Sequence, residues 1–388
     1  MYFNLNQTQL SIIDSVQNIM KNFDDDYWLQ CDKENKFPHK FYEEIASGGW
    51  LGICMPKQFG GTALGISDAS IFMQKVSETG GGMAAASSIH INIFGPHPIV
   101  VFGNYEQKEK WLPPLISGKE KTCFGVTEPD AGLDTGKLKT FAKKINDGYL
   151  VNGQKIWTST AKIADKILLL ARTIPVEECK KNTDGLTLFY TELDRKKIEV
   201  KEISKMGRAA VDSNQIFIDN LEVPDFDRIG EEGKGFKYIL DSLNPERILI
   251  AAEALGIGKN ALSRAVKYAS DRIVFDRPIG KNQSIQHPLA ENWIELEAAE
   301  LLIAKAAHQY DNGQNAGGMA NAAKFFAAEA GFKAATQAVI TLGGMGYAKE
   351  YHVERLLRES LIPKLAPVSA QMILNYISER VLGLPKSY

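Results

Sequence analysis

CFGVTEPDAGLDT, residues 123–135, runs from a β-prone stretch into a turn at Pro129-Asp130 and then into small residues. Gly125, Ala131 and Gly132 leave room for a flat ring or a phosphate to come close to the backbone. The segment opens a region unlike its flanks. KTCFGVTEPD, GYLVNGQKIW, ADKILLLARTI, GLTLFYTEL, KIEVKEI and QIFIDNLEVP are short and rich in β-branched and aromatic residues, and Gly, Asn and Asp separate them. That pattern predicts a small antiparallel sheet or barrel over 122–232.

Both flanks have helical spacing. On the N-terminal side, apolar positions recur with a helical period over 7–30, 38–50 and 64–79. Residues 83–102 are mostly apolar and small, which predicts a buried helix, and NYEQKEKWLPPLISG reads as a short helix closed by Pro113-Pro114. On the C-terminal side, long apolar-periodic segments cover 234–271, 285–312, 316–343 and 348–382. They are alanine-rich, as in NAAKFFAAEAGFKAATQAV, and alanine both favours helix and lets helices approach. Four such segments predict a four-helix bundle. The expected fold class is α+β: an N-terminal helical domain over 1–121, a central β domain over 122–232 and a C-terminal four-helix bundle over 233–388.

Bulk properties narrow the function. A chain of 388 residues exceeds one ordinary core. Lys plus Arg total 45 and Asp plus Glu 47, a formal charge of −2 that gives no basic surface for nucleic acid. Cys31, Cys54, Cys123 and Cys179 lie far apart with no metal-ligand spacing, so no metal is expected, and scattered thiols suit a reducing compartment. There is no leader signature and no apolar run long enough for a bilayer, so no membrane partner is expected. The expected location is the cytoplasm, or the mitochondrial matrix in a eukaryote. No GxGxxG follows a strand, which argues against a nicotinamide site of that type.

Four further motifs accompany residues 123–135. They are NGQKIWTST (152–160), KMGRAAVDSNQIFIDNLEVP (205–224), DRIVFDRPIGKNQSIQ (271–286) and LGGMGYAKEYHVERLLRES (342–360). With the α–β–α order, they resemble the acyl-CoA dehydrogenase family from about residue 40 to the end. The resemblance implies FAD. It implies that Thr127 bonds the flavin ring, that the backbone from Phe124 through Val126 and Gly132 to Leu133 frames it, that Trp157 packs beside it, and that Thr158 and Ser159 bond its polar edge. Arg272, Phe275, Gln283, Gly343 and Gly344 would reach the FAD of a neighbouring subunit, which implies a homo-oligomer, by analogy a tetramer. Ser369 and Gln371 complete the implied cofactor contacts, and the 205–224 segment identifies the family without carrying chemistry. Asp130, Leu133 and Ile340 depart from the usual Gly, Ser and Gln.

The implied reaction needs a carboxylate base opposite the flavin, with its pKa raised by burial. Most of the family carry this Glu shortly after the RD-type end of the last motif, but a gapless count from Arg358 puts Pro367 there. A minority carry it on an earlier helix, directly before an Arg. SLNPERILIAAEALG supplies Glu246 and Arg247, so Glu246 is expected to be the base. Pro245 is expected in a first helical turn, where Glu246 could instead be an acid interacting with the helix dipole. Leu133, Asn244, Arg247, Pro367 and Val368 are expected to line the substrate. Proline has no N–H, so Val368 becomes a candidate donor to the thioester carbonyl. Of the histidines, His287 reads as structural and His90 as a candidate for the pocket wall. The expected activity is α,β-dehydrogenation of an acyl-CoA, with electrons passed to an electron-transfer flavoprotein. Oxidase, desulfinase or monooxygenase chemistry on the same fold, or thioester binding without catalysis, are the alternatives.

Overall fold

The structure, a computed structural model, describes residues 5–387; residues 1–4 and Tyr388, at the outer ends of the two flanking regions, lie outside the described residues. Seven helices come first: α1 (Gln7–Met20), α2 (Asp25–Glu34), α3 (His39–Ser47), α4 (Ile66–Val76), α5 (Gly82–Phe94), α6 (His97–Phe102) and α7 (Tyr105–Ile116). Side chains fix several starts. Asn6 and Asn104 form reciprocal capping boxes with Gln9 and Gln107, and Asp24 accepts from the Tyr27 N–H. The periodic stretch at 7–30 is two helices, because the chain turns between Met20 and the Asp24 cap. The stretch at 83–102 likewise divides at Gly95-Pro96. Pro113 and Pro114 do not close α7, which continues to Ile116.

The middle region holds β1 (Thr122–Gly125), β2 (Phe141–Ile145), β3 (Gly148–Ser159), β4 (Lys166–Arg172), β5 (Leu186–Glu192), β6 (Ile198–Glu202), β7 (Ser213–Pro224) and β8 (Arg228–Ile229). They form one sheet in the order β6-β7-β3-β2-β4-β5-β8, with β1 alongside β4. The expected antiparallel sheet is in fact mixed, since β1 and β2 each pair parallel with β4. β3 and β7 are the long central ladder, with register shifts between Val151 and Gly153 and between Lys155 and Thr158.

The C-terminal part begins with α8 (Gly235–Asp271), followed by a short hairpin of β9 (Ile273–Val274) and β10 (Arg277–Pro278), then α9 (Gln283–Asp311) and α10 (Gly317–Leu342). The fourth periodic segment is not one helix. It is broken into α11 (Val353–Ser360), α12 (Ile362–Leu365) and α13 (Ala370–Tyr376), with Pro363 and Pro367 at the breaks. The other correction is in α8. Pro245 lies about three turns inside this helix rather than in its first turn.

The largest core joins the two helical parts: α4 and α5 pack on α8, which packs on α9 and α10. Alanine and glycine make the α8–α10 contact close. A Cβ on Gly331 would lie 2.5 Å from the Ala254 carbonyl oxygen, and one on Gly258 would lie 2.9 Å from Gly331 Cα. The obstacle is backbone, which cannot rotate away. Gly331→Ala is therefore expected to cost about 1–3 kcal/mol by overpacking. Chemical denaturation followed by circular dichroism measures this, and an unmoved midpoint would show that the helices can part freely.

Candidate active site

Three helices, α5, α6 through Pro98, and α8, meet a strand end at a small apolar cavity. Its wall includes His90, Ile91 and Phe94 of α5, Phe124 of β1, and Ile239, Ser242, Leu243 and Glu246 of α8. Ser242 is occupied, donating to the Tyr238 carbonyl one turn earlier at 3.1 Å. Glu246 is not: it forms no hydrogen bond or ion pair with any described residue. Burial pushes its carboxyl above the ordinary value of 4.5, Glu253 adds to the rise, and His90, Arg247 and Lys324 oppose it. Helix-dipole stabilisation is excluded by position, since the effect fades within the first turn and Glu246 lies well inside α8.

Asn244 and Arg247 flank the carboxylate. Arg247 donates to Asn244 Oδ1 at 2.9 Å, and its Nε is buried without a partner. Lys324 of α10 is almost fully buried and donates to the Val368 carbonyl at 2.6 Å. Burial, together with the charge of Arg247, lowers its pKa to about 8. Lys324 thus fixes the segment of Pro367 and Val368, and among the described residues no acceptor engages the Val368 N–H.

The residues expected at the flavin ring lie on β1, on the loop that follows it and on β3, which the structure joins. The Ile156 N–H donates to the Thr127 carbonyl at 2.9 Å, and the buried Lys155 ammonium donates to the Val126 carbonyl at 3.0 Å and to Glu128 at 2.9 Å. Glu128 also accepts from the Lys139 and Thr140 N–H groups, at 2.7 and 2.9 Å, which closes the loop carrying Gly132 and Leu133. The register shift after Lys155 is a bulge, with Trp157 at φ 61°. It turns the Trp157 side chain outward, 57% exposed, and puts Thr158 fully inside. The Thr158 hydroxyl has no partner although buried. Leu133 is 63% exposed, and nothing lies within 4 Å of where a Gly132 Cβ would be. An orphaned hydroxyl, an exposed indole and an open backbone fit a large flat ring with polar edges.

Ser159 accepts from Arg208 at 2.9 Å, and the same guanidinium reaches Ser213 at 2.8 Å and Ser87 of α5 at 3.3 Å. Arg208 ties the cavity helix to the end of β3, a role the sequence reading did not assign. It also missed Glu253, whose carboxylate lies 2.6 Å from His90 Nδ1 with both groups buried. A signal existed: Glu253 follows Glu246 by two helical turns, so both lie on one face of α8.

Arg272, Phe275, Gln283, Gly343 and Gly344 are exposed and form a separate group at the ends of α8–α10. Phe275 is 94% exposed at φ 51°, and Gly343 and Gly344 have open space where a Cβ would be. Ser369 caps α13 by accepting from the Met372 N–H at 3.4 Å, and Gln371 is exposed. Among the described residues, no hydrogen bond links these residues to the Phe124–Ser159 group.

Models of the N-terminal, middle and C-terminal acyl-CoA dehydrogenase domains match residues 6–119, 123–221 and 233–382. Acyl-CoA dehydrogenase FadE12 of Mycobacterium tuberculosis is 34% identical over 379 residues, 96% of each chain. An acyl-CoA dehydrogenase of Bacillus subtilis is 37% identical over 353 residues, 91% of this chain and 92% of the relative. A 3-(aryl)acrylate reductase of Clostridium sporogenes is 37% identical over 331 residues, 85% and 86% of the two chains. Butyryl-CoA dehydrogenase from Megasphaera elsdenii superposes with a TM-score of 0.93 at 30% identity, over 98% of this chain and 100% of the other. An FAD complex of PigA gives 0.93 at 26%, over 99% and 100%. With all three domains matched and the orphaned Thr158 hydroxyl suited to a flavin, the chain belongs to the acyl-CoA dehydrogenase family, FAD-dependent oxidoreductases acting on CH–CH bonds.

Proposed function

We propose that this protein converts an acyl-CoA thioester to the trans-2-enoyl-CoA, with Glu246 as the base. One observation carries the reading: Glu246 is a carboxylate without a partner on the wall of an apolar cavity that it shares with Phe124. A base must be free of competing donors and must hold its proton well enough to remove one from carbon, and burial gives both conditions. The backbone from Phe124 to Leu133, with Trp157, Thr158 and Ser159, would hold FAD on the other side of the substrate. FAD bound there supplies the acceptor for the β-hydride. Lys324 holds Pro367 and Val368 in place, and the Val368 N–H is the donor proposed for the thioester carbonyl, where it would acidify the α-carbon.

Electrons would then pass to an electron-transfer flavoprotein. Arg272, Phe275, Gln283, Gly343 and Gly344, all exposed here, would complete the cofactor site of a neighbouring subunit in a homotetramer, with Ser369 and Gln371 as further contacts. The four free cysteines fit a cytoplasmic setting, and among the described residues no helix is long and apolar enough to cross a membrane. The Clostridium sporogenes relative favours a second reading, the reverse direction. The same Glu246 would then return a proton to the α-carbon of an enoyl-CoA, with the redox partner setting the direction.

Four measurements test these assignments. Anaerobic mixing with a panel of acyl-CoAs should bleach the flavin, and Glu246→Gln should slow bleaching by about 10²–10⁴-fold; an unslowed variant would remove Glu246 as the base. Because the ionised carboxylate is the active form and burial raises its pKa, the rate should fall with decreasing pH along a limb centred above 4.5. Thr158→Val should weaken FAD binding by up to about tenfold, the size of one hydrogen bond, whereas Thr158→Ser should retain it in a titration of the apoprotein. Phe275→Asp should shift the assembly toward smaller species in analytical ultracentrifugation and reduce bound FAD; an unchanged tetramer would place the interface elsewhere.

A further inference from the structure

His90 sits on the cavity wall with one ring nitrogen used and the other free. Nδ1 lies 2.6 Å from Glu253 Oε1, while Nε2 is buried and has no partner. The ring is 6% exposed and Glu253 is fully buried. Phe94 packs beside the ring, with centroids 6.0 Å apart. A purely structural histidine would be expected to satisfy both nitrogens, because an unpaired buried donor costs about 1–3 kcal/mol. Here the free edge belongs to a residue of α5 that lines the same cavity as Glu246 of α8, the other polar group there without a partner among the described residues.

We propose that His90, backed by Glu253, is a positioning residue for Glu246: as an imidazolium in the acyl cavity it keeps the neighbouring carboxylate ionised and aimed until the α-proton arrives. The inference rests on Glu246 being the base. Glu246 needs such help, because an isolated carboxylate in an apolar cavity takes up a proton and ceases to be a base. Burial works against charge on His90, but the contact with Glu253 outweighs it and holds the ring's pKa above 6.5; Glu246 adds to this and Arg208 opposes it. The charged groups that act on Glu246 are His90 of α5, Arg247 and Glu253 of its own helix α8, and Lys324 of α10. His90 heads the charges that favour its ionised form, ahead of Arg247. The proton taken from the substrate ends on Glu246, and His90 remains protonated throughout.

The test is the pH profile of flavin bleaching by an acyl-CoA that bleaches the wild-type holoenzyme, measured beside Glu246→Gln, His90→Gln and Glu253→Gln, with bound flavin as the check on folding. His90→Gln removes the positive neighbour and leaves Glu253 unpaired. Its acid limb should move up by about one pH unit, a roughly tenfold slower rate on that limb, with the high-pH rate largely kept. Glu253→Gln removes the partner that charges His90, and the limb should move the same way by less. A flavin-loaded His90→Gln with an unmoved limb overturns the proposal. If His90→Gln does not retain flavin, His90→Asn is measured in its place: an upward shift supports the proposal and an unmoved limb overturns it. If Glu246→Gln bleaches as fast as wild type, the base assignment fails and this inference with it. A dead Glu246→Gln beside unmoved His90→Gln and Glu253→Gln limbs removes only the role of His90.

Discussion

The buried ion pair of Arg355 and Glu359 is the constraint on which the site geometry depends. Both side chains lie on α11 and are almost fully buried. Glu359 accepts from the Met83 and Ala84 N–H groups, at 2.7 and 3.2 Å, and so closes the N-terminus of α5, where a carboxylate is favoured. Arg355 reaches the carbonyls of Gly80 and Gly81 just before it. Gly82, at φ 57°, leaves the space; a Cβ there would lie 2.6 Å from the Glu359 carboxylate. Removing either partner of such a pair typically costs 3–5 kcal/mol, because the other charge stays buried alone. A C-terminal element thus sets the position of the N-terminal helix that carries His90.

Two further ties hold α5. Arg208 donates to Ser87, and the Asn92 side chain bridges to β1 by donating to the Glu120 carbonyl and accepting from the Thr122 N–H. On the opposite wall, the Ser77 hydroxyl donates to the Glu253 carbonyl of α8 at 3.0 Å. The cavity is therefore framed by three parts of the chain locked through buried polar contacts. Its walls stay apolar, so the few charges inside act on one another at short range with little water to screen them.

The architecture was largely legible because long amphipathic periods and short β-rich runs reflect local propensity. What the sequence hid were interruptions. Met20–Asp24, Gly95-Pro96 and the prolines of 348–382 divide helices that periodicity alone runs together. Pro245 misled in the other direction, reading as a helix start although packing carries α8 straight through it. The bulge at Trp157 was equally invisible, since register comes from the pairing of β3 with β7.

By itself, the sequence determined the α–β–α order, the family motifs, the Glu246-Arg247 pair and the proline at 367, because each is written in neighbouring residues. Only the tertiary structure decided that Glu246 has no partner among the described residues, that Thr158 keeps an orphaned hydroxyl, and that His90 and Glu253 form a buried pair with His90 on the cavity that Glu246 lines. His90 and Glu253 are 163 residues apart. Their meeting is a consequence of how α5 packs on α8, and electrostatics in a buried site follows spatial neighbours, which a linear pattern does not specify.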